Sequence, residues 1–478
     1  MTPLHPMTWQ SPVVTGPWYD VVEPATDAVL TRVRSAGPSD VTASVARAAV
    51  AQRSWAGRPA AERAAVLRRA GDLLVAHGDE LREWLVRESG SVPGKAHFEL
   101  SVATQECYEA AALATRPTGQ VLSSTAPRLA YTQRVPVGVV GVIAPFNAPL
   151  VLSLRSVAPA LALGNAVVLK PDPRTAVSGG LALGALFHAA GLPADLLHVL
   201  PGGPDPGRQL LADPHVPVIS FTGSTRTGRS VAETAGRHLK RTHLELGGNS
   251  ALIVLEDADL EAALSAGAWG AFFHQGQICM TTGRHLVHAS HYEEYVERLA
   301  AKADALIVGD PHRDKVHLGP LIDREQTRTV HDLVKASVAA GAVIRAGGTH
   351  DGPYYRPTVL TGVDDDTPAY AQEVFGPVAP VRPFTTLDEA AALAAAGPYG
   401  LSLGIITRDA ARGRELAERI PTGIAHINDQ TVGDEALAPF GGTGVSGTGT
   451  RFGGDANADA FTELRWITVD ADVPAHPF

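Results

Sequence analysis

The sequence predicts an α/β protein built from doubly wound, largely parallel sheets. From residue 135 onward, short apolar runs alternate with stretches of helical periodicity, and a second alternation of this kind resumes after Asn249. Five of the runs end at a turn, namely GVVGVIAP, AVVLKP, LLHVLPG, VPVISFTG and HLELGG. Buried strands read as continuous apolar runs, and parallel strands need helical crossovers. We therefore expect two α/β domains with a hinge near residue 246.

The first part of the chain, after a short extended arm, is predicted to be helical. Pro38-Ser39-Asp40 can start a helix. The apolar residues that follow lie on one helical face; they are Val41, Val45, Ala48 and Ala49. A second helix is predicted from Pro59 to Glu88, with Ser89-Gly90 as its end.

The remaining elements follow from the same change of periodicity. Helices are expected near 176–190, 205–212 and 226–237, between the apolar runs. After Asn249, the pattern predicts a strand in ALIVL, a helix from Asp257 to about Phe273, a strand in HLVH and a helix near 291–306.

Composition excludes several classes of protein. The chain has 478 residues and a net charge of −10, and its 6 lysines and 34 arginines form no basic run, so nucleic-acid binding is not expected. Two cysteines, Cys107 and Cys279, exclude a disulfide framework. Residues 135–154 are uncharged but contain prolines and glycines, which favours a buried strand and turn over a membrane span. We expect a cytoplasmic protein without a signal segment.

Two motifs suggest sites that their context does not favour. Residues 442–447 read GTGVSG, a formal dinucleotide fingerprint, but no strand precedes them and no apolar helix follows, so a glycine-rich loop is the better interpretation. His285, His288 and His291 are spaced by three, which places neighbouring members on opposite faces of a strand. We predict no metal site.

The segment FTGSTRTG (221–228) is a better candidate for a phosphate site. It ends a strand-like run and opens a helix, where glycines let backbone N–H groups approach an anion. Ser224 can donate a hydrogen bond to that anion, or it can simply cap the helix in an ordinary turn. The spacing does not distinguish these two possibilities.

Cys279 and Glu245 carry the clearest chemical signal. A lone cysteine is usually an inert small apolar residue, and we assign Cys107, in the helical stretch ECYEAAAL, to that category. Glu245 differs because it ends an apolar strand, where an unused carboxylate is unfavourable. A buried carboxylate with a raised pKa is suited to act as a general base toward water.

Seven motifs follow one another along the chain, namely PFN (145–147), LKP (169–171), FTGSTRTG (221–228), LELGGN (244–249), GQIC (276–279), EVFGP (373–377) and PFGGTGVSG (439–447). With these motifs in this order, the sequence resembles the NAD(P)-dependent aldehyde dehydrogenase superfamily over roughly residues 20–470. Other stretches, RVPVGVVGVIAP, RSVAPALALGNAV, HQGQIC, GRHLVH and HINDQ, look like those of benzaldehyde dehydrogenases of aromatic-compound degradation.

The resemblance implies a mechanism and assigns residues to it. The thiolate of Cys279 would attack the aldehyde carbon, and the side chain of Asn147 with the Cys279 N–H would hold the oxyanion. Hydride would then pass to the coenzyme to leave a thioester, which water activated by Glu245 would hydrolyse. Asn428, in HINDQ, would line the same site.

The resemblance also implies NAD as coenzyme, with NADP possible. The implied coenzyme-binding residues are Lys170, Gly223, Ser224, Gly228, Glu373, Phe375 and Phe146. Phe146 stands where tryptophan is usual. Pro173 stands where many NAD-specific members have a glutamate for the ribose hydroxyls, so strict NAD specificity is open.

The fold implied by analogy has three parts. Residues 1–118 and 137–246 would form the coenzyme-binding domain, residues 247–440 the catalytic domain, and residues 119–136 with 455–478 a bridging and oligomerisation segment. The apolar strand FTELRWITV (461–469) would be protected by a second subunit, so a homodimer or homotetramer is expected.

A benzaldehyde-like aromatic aldehyde is the expected substrate, mainly by resemblance. Trp269, Phe272 and Phe273 precede the cysteine and either contact an aromatic ring or belong to the core. A broad-specificity or aliphatic enzyme, possibly NADP-using, is the alternative. Acylating relatives that use coenzyme A or phosphate normally lack the glutamate that is present here as Glu245. A catalytically silent binding protein would not need Cys279, Glu245 and Asn147 together.

Overall fold

The structure, a computed structural model, describes residues 14–474 and 476. The first elements are a hairpin and four helices, in the order β1 (Trp18–Val22), β2 (Val29–Arg34), α1 (Pro38–Ala56), α2 (Ala60–Ala76), α3 (Gly78–Ser89) and α4 (Pro93–Leu113). The Asp40 carboxylate accepts a hydrogen bond from Gly37 N–H and so closes the start of α1. The single helix predicted from Pro59 to Glu88 is wrong, because the chain breaks at His77 into α2 and α3.

Two short strands and the parallel sheet come next. The strands are β3 (Val121–Leu122) and β4 (Leu129–Pro136). The elements of the sheet region are β5 (Val139–Ile143), α5 (Pro149–Ala162), β6 (Ala166–Lys170), a 3₁₀ turn (Pro173–Thr175), a π-helical turn (Val177–Leu181), α6 (Ala182–Ala189), β7 (Leu197–Val199), α7 (Pro204–Ala212), β8 (Val218–Thr222), α8 (Thr225–Arg237) and β9 (Arg241–Glu245). The five strands of the sheet run parallel in the order β7-β6-β5-β8-β9. The five predicted apolar runs supply them.

The second sheet region begins after residue 249. Its elements are β10 (Ser250–Val254), α9 (Leu260–Phe272), a 3₁₀ turn (Phe273–Gly276), β11 (Thr282–His288), α10 (Tyr292–Ala305), α11 (Arg324–Ala339), β12 (Val343–Ala346), β13 (His350–Asp351), β14 (Tyr354–Tyr355), β15 (Thr358–Thr361), α12 (Pro368–Ala371), β16 (Val378–Phe384), α13 (Leu387–Ala395), β17 (Tyr399–Gly400), β18 (Ser402–Ile406), α14 (Ala410–Ala417), β19 (Ile424–Ile427) and β20 (Thr443–Gly444). Seven strands form a sheet in the order β12-β15-β16-β11-β10-β18-β19, in which only β12 is antiparallel to its neighbour.

The chain ends with α15 (Ala456–Phe461) and β21 (Thr462–Val469). β21 pairs antiparallel with β4 along its whole length, and β3 completes a three-stranded sheet in the order β21-β4-β3. Segments predicted to share one bridging unit are thus joined across more than 300 residues, as shown by the hydrogen bond from Arg134 to Thr462, 328 positions apart.

The core explains why the strands read as continuous apolar runs. All five residues of β10 are buried, and they alternate between two clusters on opposite faces of the seven-stranded sheet. A third cluster surrounds the five-stranded sheet and packs it against α1, α2, α4 and α5. We propose that the chain has the three predicted parts, and the separate sheets support this division. Residues 1–13, 475, 477 and 478, at the ends of the first and third parts, lie outside the described residues.

No helix among the described residues is long and apolar enough to cross a membrane. The uncharged stretch 135–154 contributes the end of β4, the buried strand β5 and the start of α5.

Candidate active site

Four predicted site residues lie at the carboxyl edge of the five-stranded sheet. Lys170 and Glu245 are the last residues of β6 and β9, Gly223 follows β8 directly, and Asn147 follows β5. β5 and β8 are the neighbours between which the strand order reverses. A crevice at such a reversal is where open α/β sheets bind their ligands.

Glu245 is buried without a hydrogen-bond partner. Its side chain is 3% exposed, and neither carboxylate oxygen makes a hydrogen bond to the described residues. Burial raises its pKa well above the usual range, while the charges of Arg155 and Arg451 partly offset that rise. A carboxylate held in this way is available to a water molecule or a substrate.

The loop 441–447 forms one wall of the Glu245 site. Ser446 carbonyl accepts from Leu246 N–H at 2.9 Å, and Gly447 bridges to Glu245 along the backbone. A Cβ at Gly441 would lie 2.8 Å from Glu245 Oε1, so glycine leaves room beside the carboxylate. The GTGVSG segment is therefore a glycine-rich loop that packs beside Glu245, as the sequence context indicates. It is not a strand-to-helix fingerprint.

Cys279 follows a strained turn at the end of α9. His274, Gln275 and Gly276 all have positive φ angles, of 50°, 56° and 67°. At Gly276 a Cβ would lie 2.2 Å from the Gly376 carbonyl, so the EVFGP loop packs directly on this turn. Gln275 Nε2 donates to the carbonyls of Gly90 and Pro320, at 3.0 and 2.8 Å, and so fixes the turn from outside.

Burial and nearby negative charge both act on the Cys279 thiol. The residue is partly buried, and its carbonyl oxygen would lie 2.4 Å from a Cβ at Gly248, in the LELGGN motif. Burial raises the pKa of the thiol, and the charges of Glu373 and Glu245 raise it further. The thiol is therefore protonated at neutral pH, and its deprotonation is a necessary step of any nucleophilic chemistry.

Cys107 lies away from this site. It is fully buried in α4, within the core cluster of the five-stranded sheet. Burial raises the pKa of its thiol. Both cysteines are free thiols, and only Cys279 lies near the carboxyl edge of the sheet.

Asn147 is held by residues that the sequence analysis did not identify. Its side chain is 5% exposed and makes no hydrogen bond to the described residues, whereas its backbone carbonyl accepts from Lys95 Nζ at 2.7 Å. Lys95 also pairs with Glu99, one turn further along α4. The spacing Lys-x-x-x-Glu indicates an ion pair along a helix, but it does not indicate a partner 52 positions away.

The predicted phosphate segment packs against the Glu245 strand. Gly223 N–H donates to the Glu245 carbonyl at 3.0 Å. A Cβ at Gly228 would lie 2.3 Å from a methyl of Leu246, so glycine lets α8 pack closely against this side chain. Ser224 caps α8 by accepting from Thr227 N–H. The capping role is therefore observed, and the N-terminus of α8 remains oriented toward the crevice edge.

Lys170 fits a polar coenzyme group. It is 8% exposed, and its ammonium makes no hydrogen bond or ion pair with the described residues. Burial lowers the pKa of this amine, and the nearby Asp172 partly offsets the effect. A buried ammonium without a partner favours a ligand acceptor such as a ribose hydroxyl.

Arg174, beside Pro173, is fully engaged by carboxylates. It forms two hydrogen bonds of 2.9 Å to Asp172 and one of 2.6 Å to Asp323, and its guanidinium lies 4.3 Å from the Phe146 ring centroid. Burial alone would raise the pKa of Asp172, but the contacts with Arg174 hold it below its usual value. The guanidinium is thus neutralised in this arrangement.

The EVFGP residues meet the LELGGN and PFN motifs. Glu373 Oε1 accepts from Gly248 N–H at 3.1 Å, and burial raises the pKa of Glu373 to about 7. Phe375 packs edge-on against Phe146 at 5.8 Å and has a φ of 52°. Glu373, Phe375 and Phe146 therefore line one surface beside the cysteine turn. The side-chain oxygen of Asn428 accepts a hydrogen bond from Thr407 N–H.

A buried charge network behind Glu245 was not predicted. Arg155 on α5 is 1% exposed and pairs with Glu106 at 3.0 Å and with Asp434 at 2.5 Å. His243 Nε2 lies 3.5 Å from Glu245 Oε1, and its ring stacks on Phe452 at 3.8 Å. Burial lowers the pKa of His243 to about 3, so the imidazole is neutral.

The aromatic residues before the cysteine divide between surface and core. Trp269 is 53% exposed and stacks on the partly buried Phe273 at 4.3 Å, whereas Phe272 is buried in the core. The possibility that all three belong to the core is therefore wrong for Trp269, because the helical face it shares with Phe273 opens to solvent.

The three spaced histidines point to different partners. His285 bonds the Tyr295 hydroxyl at 2.9 Å, and His291 lies 2.9 Å from the Glu256 carbonyl. Within residues 14–474 and 476, no group of three or more His, Cys, Asp or Glu side chains could hold a metal ion.

A parallel sheet that carries a thiol and an unpaired carboxylate near its ligand-binding edge is typical of dinucleotide-dependent oxidoreductases that form a covalent sulfur intermediate. The chain belongs to the aldehyde dehydrogenase family, whose sequence profile, described as "Aldehyde dehydrogenase family", matches residues 11–467. This confirms the family resemblance and the fold class inferred from the motifs.

Individual relatives match over nearly the whole chain. A vanillin dehydrogenase of Amycolatopsis sp. is 67% identical, and a benzaldehyde dehydrogenase [NAD(+)] of Pseudomonas putida is 47% identical, each over 98% of both chains. The crystal structure of a salicylaldehyde dehydrogenase from Pseudomonas putida G7 complexed with salicylaldehyde superposes with a TM-score of 0.93 at 35% identity, covering 97% of this chain and 96% of the other.

Proposed function

We propose that this enzyme oxidises aromatic aldehydes of the benzaldehyde type to carboxylic acids with NAD, using Cys279 as nucleophile, Asn147 as oxyanion donor and Glu245 as base. The observation that carries the proposal is the buried Glu245 carboxylate, which has no hydrogen-bond partner among the described residues and ends β9 three residues before Gly248, the glycine that packs against the Cys279 carbonyl. An acylating enzyme would not need a water-activating base at this position.

The first covalent step forms a carbon–sulfur bond. The thiol of Cys279 passes its proton to water, the thiolate attacks the aldehyde carbon, and the carbonyl π electrons move to oxygen. The free side-chain amide of Asn147 and the Cys279 N–H donate to that oxyanion, and a donor of this kind typically lowers the barrier by about 2.7–4 kcal/mol.

The remaining steps release the acid. Bound NAD would supply the hydride acceptor, so that loss of hydride from the former aldehyde carbon would leave a thioester on Cys279. Glu245 withdraws a proton from water, whose oxygen attacks the thioester and expels the thiolate. The Glu245 oxygens make no hydrogen bond within the described residues, and this supports the role, although the neutral His243 ring lies 3.5 Å from Oε1.

The coenzyme is NAD, and the residues at the sheet edge fit it. We propose that Gly223, Ser224 and Gly228 adjoin its pyrophosphate, Lys170 its adenosine ribose, and Glu373, Phe375 and Phe146 its nicotinamide half. The pairing of Arg174 with Asp172 and Asp323 leaves no free guanidinium beside Pro173 to attract a 2′-phosphate. This supports NAD over NADP, and the name of the Pseudomonas putida relative agrees.

The substrate class is supported by three relatives named for aromatic aldehydes, vanillin, benzaldehyde and salicylaldehyde. The stacked pair of Trp269 and Phe273, beside the cysteine turn, offers an aromatic surface to such a ring. An aromatic contact of this type contributes about 0.5–1.5 kcal/mol beyond burial.

A panel of aldehydes tests the proposed function. We expect catalytic efficiency for benzaldehyde, and for lightly substituted rings such as vanillin, to exceed that for acetaldehyde and succinate semialdehyde at least about a hundredfold, close to 3 kcal/mol. The measurement is NAD(P)H formation for each aldehyde with NAD and with NADP. A short aliphatic aldehyde as best substrate would contradict the substrate class, and a tenfold preference for NADP, about 1.4 kcal/mol, would reverse the coenzyme assignment.

We also propose a cytoplasmic homodimer or homotetramer that associates through β21. This strand is the edge of its sheet and exposes Leu464 and Trp466, which are 60% and 65% exposed. An exposed apolar edge is a template for pairing with another chain. Light scattering after size exclusion should give at least a dimer, and Trp466→Asp should shift the mass toward the monomer. A monomeric wild type would refute the assignment.

A further inference from the structure

A buried ion pair on α4 lies against the catalytic asparagine loop. Lys95 and Glu99 are one helical turn apart, and they are 3% and 1% exposed. Lys95 Nζ donates both to Glu99 and to the Asn147 carbonyl, the latter at 2.7 Å. The peptide group that follows Asn147 is therefore fixed by a charged donor from another helix.

Glu99 fixes the other end of the same loop. Its Oε1 accepts from the N–H groups of Leu150 and Val151, at 2.8 and 3.3 Å. These amides belong to the first turn of α5, where N–H groups have no partner within the helix and a negative charge is favourable. The ion pair thus anchors residues 147–151 at both ends while the Asn147 side-chain amide stays free.

The same stretch of chain also touches the cysteine turn. Gly90, five residues before Lys95, accepts from Gln275 in the turn that leads to Cys279. The neutral imidazole of His274, whose pKa is held well below its usual value by burial and by the charge of Lys95, lies in the same buried region. Lys95 therefore joins the Asn147 loop to α4, and the segment that leads into α4 contacts the cysteine turn through Gly90.

We propose that Lys95, supported by Glu99, is a positioning residue that holds Asn147 in the geometry required for oxyanion stabilisation. The inference rests on the proposed function, in which Asn147 is the oxyanion donor. A buried ion pair often stabilises a fold no better than apolar residues of the same volume, so its main contribution here is geometric. A displacement of about 1 Å in such a donor can lower a rate by about 10²-fold.

The test compares two variants with a matched control. Lys95→Met removes the donor and leaves Glu99 without its cation, whereas Lys95→Met combined with Glu99→Gln leaves an amide acceptor for Leu150 N–H. We expect both to lower the pre-steady-state rate of NADH formation with benzaldehyde by about 10- to 100-fold, with KM changed less than about threefold. Lys240→Met is the control, since Lys240 also donates to backbone carbonyls, including Val216 at 2.8 Å, but away from the site.

A double-mutant cycle with Asn147→Ala separates positioning from stability. If Lys95 acts through Asn147, its replacement should have almost no further effect on the rate in the Asn147→Ala background. The inference would be overturned if the rate losses caused by Lys95→Met and Asn147→Ala were additive. It would also be overturned if the rate of Lys95→Met fell only in proportion to its lowered melting temperature. An unchanged rate in the neutral double variant would overturn it as well. A wild type inactive toward every aldehyde would instead refute the proposed function.

Discussion

Replacing Cys279 with alanine is expected to abolish acid formation, with a loss of turnover of at least about 10³-fold. Without the sulfur there is no covalent adduct from which hydride can leave. The residue is partly buried at the end of a turn fixed by Gln275, so alanine should fit and the protein should fold. The measurement is steady-state NADH formation with benzaldehyde, together with the melting temperature and NAD binding.

Cys107→Ala is the matched control for the nucleophile. Cys107 is fully buried in α4, so its replacement removes one small buried group and should leave turnover nearly unchanged. Labelling with a thiol reagent should likewise modify Cys279 and leave Cys107 intact in the native protein. Turnover above a few percent in Cys279→Ala would assign the nucleophile elsewhere.

Glu245→Gln is expected to slow steady-state turnover by about 10²–10⁴-fold, the range typical of losing a general base. The first turnover should survive, because the proposed formation of the thioester depends on Cys279 and Asn147 and does not need Glu245. Rapid mixing should therefore show a burst of NADH equal to the number of active sites, followed by a slow phase, and the thioester should be detectable by intact mass. A wild-type rate without detectable thioester would give the role to another group.

The pH dependence separates the base from the nucleophile. Burial raises the pKa of Glu245 well above its usual range, and the base works only when deprotonated. The rate of thioester hydrolysis should therefore increase as pH rises through that pKa. This increase with pH should be absent in Glu245→Gln. The burst rate should keep its own rise with pH in the variant, because burial and the charge of Glu373 also raise the pKa of the Cys279 thiol.

Much of the fold followed from local patterns. The five predicted runs supplied the strands of the parallel sheet, and the central strands β5 and β6 are apolar at nearly every position because both of their faces are buried. β9 at the sheet edge differs, since it begins at the exposed Arg241 and is buried only in its second half. Lys170 and Glu245 stood out for the same reason, since each puts a charge at the last position of such a strand. The break at His77 was missed, because α2 and α3 have the same helical periodicity on both sides of it.

The sequence by itself determined the order of the strands along the chain, the family, and the residues whose type alone signals chemistry. Only the tertiary structure decided which distant residues pair at the site. Lys95 donates to Asn147 across 52 positions, Arg174 to Asp323 across 149, and Arg155 to Asp434 across 279. Periodicity reports the environment of a residue relative to its neighbours in the chain. It carries no information about a partner on another element, which is chosen only when the elements pack and buried charges must find their counterparts.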